Sequence, residues 1–261
     1  MTSYFLFYFL YLTSIFFLGF FYSETSESTS AIHNNEKIVP TNFTMSIDEK
    51  VIFNYTLKNA TSSFNSDDFQ SAIIWYNKAI MLNPFSIQAI NDKGLSLAES
   101  GKHQQAIELY NRALKIDPNS KQVLNNKGYS LDELGKHQQA IELYDRALKL
   151  DPNNKLILHN KGYSLYLEGK YEQAIKLYDT VLKNDPNFVD AIANKGSAFY
   201  RMGQYAEALE WLDKALKIDP AALASIYYKT RSLEELGKTQ LAAEYFKNAS
   251  IIYYQTMVNK P

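Results

Sequence analysis

Five prolines, Pro84, Pro118, Pro152, Pro186 and Pro220, follow one another at intervals of 34 residues. Small residues recur in the same phase. Alanine stands at Ala72, Ala106, Ala140, Ala174, Ala208 and Ala242, and glycine forms two series, one at Gly94, Gly128, Gly162 and Gly196 and one at Gly101, Gly135, Gly169, Gly203 and Gly237. A unit of 34 residues is too short to close a core of its own, so each must bury its apolar side against its neighbours. A stack of repeated units is the architecture this period predicts.

Within one unit, Ile90, Gly94 and Leu97 fall at i, i+4 and i+7, on one stripe of a first helix, A. Gly101 can take the left-handed conformation that ends such a helix. A second stripe through Ala106, Ile107, Leu109, Tyr110, Ala113 and Leu114 predicts helix B, which Asp117 and Pro118 terminate because proline cannot continue the ladder. Asn119 and Ser120, or Asn153 and Asn154 one unit on, then offer caps for the next helix A. Small residues at Gly94 and Ala106 let the two helices approach, with Leu97 and Tyr110 filling the space alongside.

These residues resemble the tetratricopeptide repeat family, whose 34-residue pattern carries a large apolar residue, a paired glycine, Tyr, Ala, an aromatic, Ala and Pro at these positions. The resemblance implies an all-α, right-handed α-solenoid of about six helical hairpins, with units at 53–86, 87–120, 121–154, 155–188, 189–222 and 223–256. The first unit is degenerate at its start, and the last, with Thr230 for the paired glycine and Tyr254 for proline, reads as a cap. Residues 101–118 and 135–152 differ only by Asn111 against Asp145 and Ile116 against Leu150, a sign of duplication.

In this family helix A lines a concave face that holds protein segments. On this chain that face would carry Asn91, Asn125, Tyr129, Asp132, His159, Tyr163, Tyr166, Tyr200, Arg201, Tyr227 and Arg231. The tyrosines suit a contact surface because they bury much area for little side-chain entropy, or they pack against the adjacent helix A. Asn126, Asn160 and Asn194 are expected to bond within or between repeats. The branch of the family that clamps a terminal carboxylate places cations where Asn91, Asn125 and His159 stand here, so the expected ligand is a protein or peptide segment of mixed polarity. Lysine replaces the usual leucine at Lys93, Lys127, Lys161, Lys195 and Lys229, either as stems laid along the apolar stripe or as a cationic ladder.

Ahead of the repeats, residues 4–22 lack any charge, and twelve of the nineteen are Phe, Leu or Ile. At roughly −0.3 to −0.6 kcal/mol each, those side chains favour insertion into a bilayer. The segment is read as one transmembrane or signal-anchor helix, uncleaved, or else as a signal removed from a secreted protein. Glu24 and Glu27 precede the first lysine, Lys37, which favours an extracytoplasmic array, where Asn42, Asn54, Asn59 and Asn248 would head glycosylation sequons. Residues 23–52 read as a flexible tether and 257–261 as a tail.

A net charge of −1 and the lack of a basic cluster argue against nucleic acid, and the absence of cysteine removes disulfides and thiolate metal sites. Neither a phosphate loop, a nucleophile elbow nor an HExxH pair is present, so neither enzyme activity nor a cofactor is expected. His103 and His137 share one repeat position and are read as packing residues rather than metal ligands. The expected function is a membrane-anchored scaffold for protein assembly. Its rivals are a targeting subunit for a glycosyltransferase or protease on another chain, and self-association through Ile251, Ile252, Tyr253 and Tyr254 on the last helix.

Overall fold

The computed structural model describes residues 43–258, and the expected membrane segment at 4–22 and most of the tether lie outside them. Among the described residues there are twelve helices and no strand. They are α1 (Ile47–Asn65), α2 (Phe69–Leu82), α3 (Ile87–Glu99), α4 (His103–Ile116), α5 (Lys121–Glu133), α6 (His137–Leu150), α7 (Lys155–Leu167), α8 (Tyr171–Asn184), α9 (Val189–Arg201), α10 (Tyr205–Ile218), α11 (Leu223–Glu235) and α12 (Thr239–Val258). They form six antiparallel hairpins in a solenoid, odd-numbered helices being A and even-numbered helices B. None of the described helices is long and apolar enough to cross a membrane.

The turn between A and B is the same in each hairpin. After α3, Gly101 adopts φ 74° and the amides of Gly101 and Lys102 return to the carbonyls of Ala98 and Leu97, both at 2.8 Å. This satisfies carbonyls that the helix end leaves open. In the first hairpin the equivalent residue is Asp67, which takes φ 57° without being glycine. The B-to-A turns follow the prolines, where Asp117 Oδ1 accepts from the Asn119 amide at 2.9 Å. Asn154 caps α7 through the Ile157 amide at 3.2 Å, as its sequence position predicts, whereas Ser120 precedes α5 without a side-chain bond.

The array begins earlier than the repeat period indicates. Ser46 and Glu49 form a reciprocal capping box, with Ser46 Oγ accepting from the Glu49 amide and Glu49 Oε2 accepting from the Ser46 amide. Helix α1 therefore starts at Ile47, and the end of the segment expected as tether is helical. Of the sequon asparagines, Asn54 and Asn59 lie inside α1 and Asn248 inside α12.

The core is continuous. One cluster joins Ile73 of the first hairpin to Ile90, Tyr110 and Val123 of the next two, and another joins Ile107 to Leu124, Tyr144 and Ile157. Each hairpin thus completes its neighbour's core. In the second, third and fourth hairpins the paired glycine faces a tyrosine of helix B rather than the alanine, and in the fifth Gly196 faces Leu212. A Cβ built on Gly94, Gly128 or Gly162 would lie 2.6 Å from the ring of Tyr110, Tyr144 or Tyr178, each of which is fully buried. From α3 onward successive A helices also touch one another, while B helices pack chiefly on A helices, which puts the A helices on the inner side of the curve.

The lysine series divides in two. Lys161 and Lys229 pair with Asp145 and Asp213 at 2.5 and 2.6 Å, and Lys195 pairs with Asp179 while its ammonium stands 3.6 Å from the centre of the Trp211 ring. Each pair ties helix A to helix B of the preceding hairpin. For Lys93 and Lys127 the positions equivalent to those aspartates hold Asn77 and Asn111, and burial beside Arg112 and Arg146 lowers their ammonium pKa values. A cationic ladder along the whole edge is therefore not what forms, because aspartate neutralises the carboxyl-terminal half of it.

Candidate functional site

The inner helices are joined by a chain of side-chain amides. Asn194 Nδ2 donates to His159 Nε2 at 3.0 Å, Asn160 Nδ2 to Asn125 Oδ1 at 3.0 Å, and Asn126 Nδ2 to Asn91 Oδ1 at 3.0 Å. Bonds between sequence neighbours link these steps. His159 Nδ1 meets Asn160 Oδ1 at 3.3 Å, Asn125 Nδ2 meets Asn126 Oδ1 at 3.4 Å, and Asn91 Nδ2 meets Asp92 Oδ1 at 2.9 Å. Every donor points the same way along the array and the last one ends on a carboxylate, an order in which the bonds polarise one another favourably.

This ladder corrects the expected placement of three inner-face residues. Asn91 is buried, with 8 % of its surface exposed, and Asn125 and His159 are half-buried; each gives one polar atom to a neighbouring helix and the other to the next residue of its own. Asn126, Asn160 and Asn194 do bond between repeats, as expected. The sequence puts His159 on the concave face, and burial there holds its pKa below the ordinary imidazole value. Its contacts fit a neutral ring that donates from Nδ1 and accepts at Nε2.

The folded chain then binds a proton at His159 less readily than the unfolded chain. That contribution to stability is whole above pH ~6.5 and is lost as pH falls through the depressed pKa. Denaturation in urea at pH 7.5 and pH 5 should show a larger acid loss for the wild type than for His159→Asn, which restores the residue found at the two preceding ladder positions. Equal losses would remove the neutral ring from the ladder.

A second correction concerns Asp132, expected on the open inner face. Its side chain is 4 % exposed and turns into the hairpin, where it accepts from His137 Nδ1 at 3.0 Å, Tyr144 OH at 3.0 Å and Ser164 Oγ at 2.7 Å. Burial raises its carboxyl pKa, and the three hydrogen bonds oppose that rise. His137 is thus a structural donor that orients a buried carboxylate.

The tyrosines separate into two groups. Tyr166, Tyr200 and Tyr228 form a cluster between helices, with Tyr166 and Tyr228 hydroxyls 2.9 Å apart and Tyr200 against Tyr205 and Tyr228. These rings pack α7, α9 and α11 together. Arg201 is exposed at the end of α9, and Arg231 is tied to Glu234 at 2.6 Å. Tyr129, Tyr163 and Tyr227 keep 39 %, 38 % and 41 % of their surface exposed. Tyr129 and Tyr163 line a groove of about 390 Å³ that runs along α5, α7, α9 and α11, and Tyr163 stacks on Tyr166 at 6.2 Å.

The groove also takes in residues outside the inner stripe: Val189, Asp190, Asp219, Leu223 and Ser225, from the starts of α9 and α11 and the turn before α11. The signal for Asp219 was present, because an aspartate precedes every repeat proline from Pro118 to Pro220. What the period does not convey is that the turns rise beside the inner face. The resulting surface joins apolar and aromatic walls to carboxylates, with Asp190 and Asp219 exposed near the rings.

The sequence profile of the tetratricopeptide repeat family matches residues 91–155 and 159–222. No curated protein matches the chain. Among solved structures, PilF of Pseudomonas aeruginosa aligns with a TM-score of 0.67 at 18% identity, covering 82% of this chain and 100% of that one. PilW, a type IV pilus biogenesis factor, aligns at 0.70 and 21% identity, covering 74% and 90% of the two chains. YrrB, a repeat protein with an unusual peptide-binding site, aligns at 0.54 and 24% identity, covering 67% and 90%. At these identities the solved structures speak for the fold alone, while the family profile identifies residues 91–155 and 159–222 as tetratricopeptide repeats.

Proposed function

We propose that the protein is a scaffold that holds an extended segment of another protein along its inner groove, tied to a membrane by residues 4–22. The observation that carries this reading is the pair of exposed tyrosines, Tyr129 and Tyr163, on neighbouring inner helices whose spacing the amide ladder locks. Rings presented on a rigid frame lose little entropy when a partner covers them. The carboxylates of Asp190 and Asp219 beside them favour a segment that carries basic or hydrogen-bond-donating side chains. On this reading the protein acts by binding, and any chemistry belongs to the partner. Supporting the anchor are the uncharged, Phe-rich residues 4–22.

A photo-crosslinking residue at Tyr163 in the full-length chain, in its native membrane, tests the groove against a probe at Lys183 on the outer side of α8. One recurrent protein captured at position 163 and missed at 183 is the expected result. Tyr163→Ala should then weaken that partner by about tenfold, as loss of an aromatic anchor does. Equal capture at both positions would sink the groove. Capture of a second copy would favour self-association, for which Ile251, Ile252 and Tyr254 stand exposed on α12.

A further inference from the structure

The second and third hairpins are near-identical over residues 101–118 and 135–152, and in their A helices they differ at a consequential place. Asp132 of the third hairpin corresponds, 34 residues back, to Ala98. The three groups that donate to Asp132, namely His137, Tyr144 and Ser164, correspond to His103, Tyr110 and Ser130. His103 Nδ1, Tyr110 OH and Ser130 Oγ are all buried and none has an acceptor outside the trio, although the Tyr110 and Ser130 hydroxyls lie close enough to interact with each other. The donors stand in both hairpins and the acceptor in only one. Duplication explains why they are present, but a buried donor without a partner destabilises the fold, so the trio has a use for an acceptor supplied from elsewhere.

We propose that His103, Tyr110 and Ser130 form a receptor for one carboxylate group brought by another molecule, which takes the place that the Asp132 side chain fills in the next hairpin. The chemistry is that of the filled copy: one imidazole N–H and two hydroxyls converge on two oxygens, at 2.7 to 3.0 Å. Entry is from the side of His103, which is half-buried, where the exposed ring of Tyr129 stands edge-on at 6.2 Å. Asp92 and Glu99 lie near enough to Tyr110 to oppose an anion. Glu133 stands likewise beside Tyr144 without preventing Asp132 from binding there. The site differs from an inner-face cation clamp, since none of its three donors is a lysine or arginine. It also stands independently of which protein occupies the groove.

Sodium formate and N-acetyl-aspartate amide, each titrated into the purified full-length chain against sodium chloride of equal ionic strength, test the receptor by thermal melting. Saturable stabilisation of the wild type is expected, with none for Ala98→Asp, which carries its own carboxylate, or for Ser130→Ala. Ser130→Ala removes a hydroxyl that has no acceptor outside the trio, so it should fold about as well as the wild type. Stabilisation by both compounds assigns a carboxylate carried on a peptide, and stabilisation by formate alone assigns a small free acid. Stabilisation by neither, or an equal response in Ala98→Asp, overturns the proposal and leaves the trio to water.

Discussion

Gly128→Leu should melt roughly 6–12 °C below the wild type, which corresponds to about 3 kcal/mol for a domain of this size. Even a methyl group at position 128 would stand 2.6 and 2.7 Å from Cε1 and Cζ of Tyr144. That ring is fully buried and its hydroxyl is held by Asp132, so it has no rotamer to yield into without breaking the bond. Either the hairpin opens or the buried carboxylate loses a donor. Thermal denaturation followed by circular dichroism measures the result. A melt unchanged by leucine would show that the two helices are not in contact at this glycine.

Asp132→Ala should cost about 3 kcal/mol, because it strands three buried donors at once, each worth ~1–3 kcal/mol when unpaired and not fully additive. The loss is moderated by removing a carboxylate whose own burial is unfavourable. Ser164→Ala, which removes one donor and leaves the acceptor two others, should cost only about 1 kcal/mol. Urea denaturation of the two variants gives the comparison. If Asp132→Ala proved as mild as Ser164→Ala, water would be replacing the carboxylate and the trio would be no more than a solvated pocket.

Proline, alanine and glycine phases mark where the repeated helices turn and meet, because each of these residues has a backbone or packing role that no other residue fills as cheaply. The start of α1 escaped the period, yet Ser46 and Glu49 have capping-box spacing and could have marked it. Polar residues were harder to place. Asn91, Asn125 and His159 fall on the inner stripe by angle, but whether an amide faces solvent or its neighbour depends on a donor one repeat away. Asp132 also lies on that stripe, and only the joint presence of His137, Tyr144 and Ser164 draws it inward. Two of the five inner-face tyrosines, Tyr166 and Tyr200, take the packing alternative, because they find partners in helices whose distance the period does not specify.

The amide ladder bears on how such a chain can change in length. Each inter-repeat bond spans 35 residues, one more than the 34-residue unit, so every joint is the same joint. Excision of residues 121–154 would bring Asn160 to Asn91 and recreate the junction that Asn126 makes with it. Whole units can therefore be lost or copied in a lineage without redesigning the seam, whereas a single-residue insertion within a helix breaks the register of the rung that spans it. Asp132 is the exception, since its donors come from two successive units and a cut between them would leave a buried acid without its serine. The array is modular everywhere except at that one stitch.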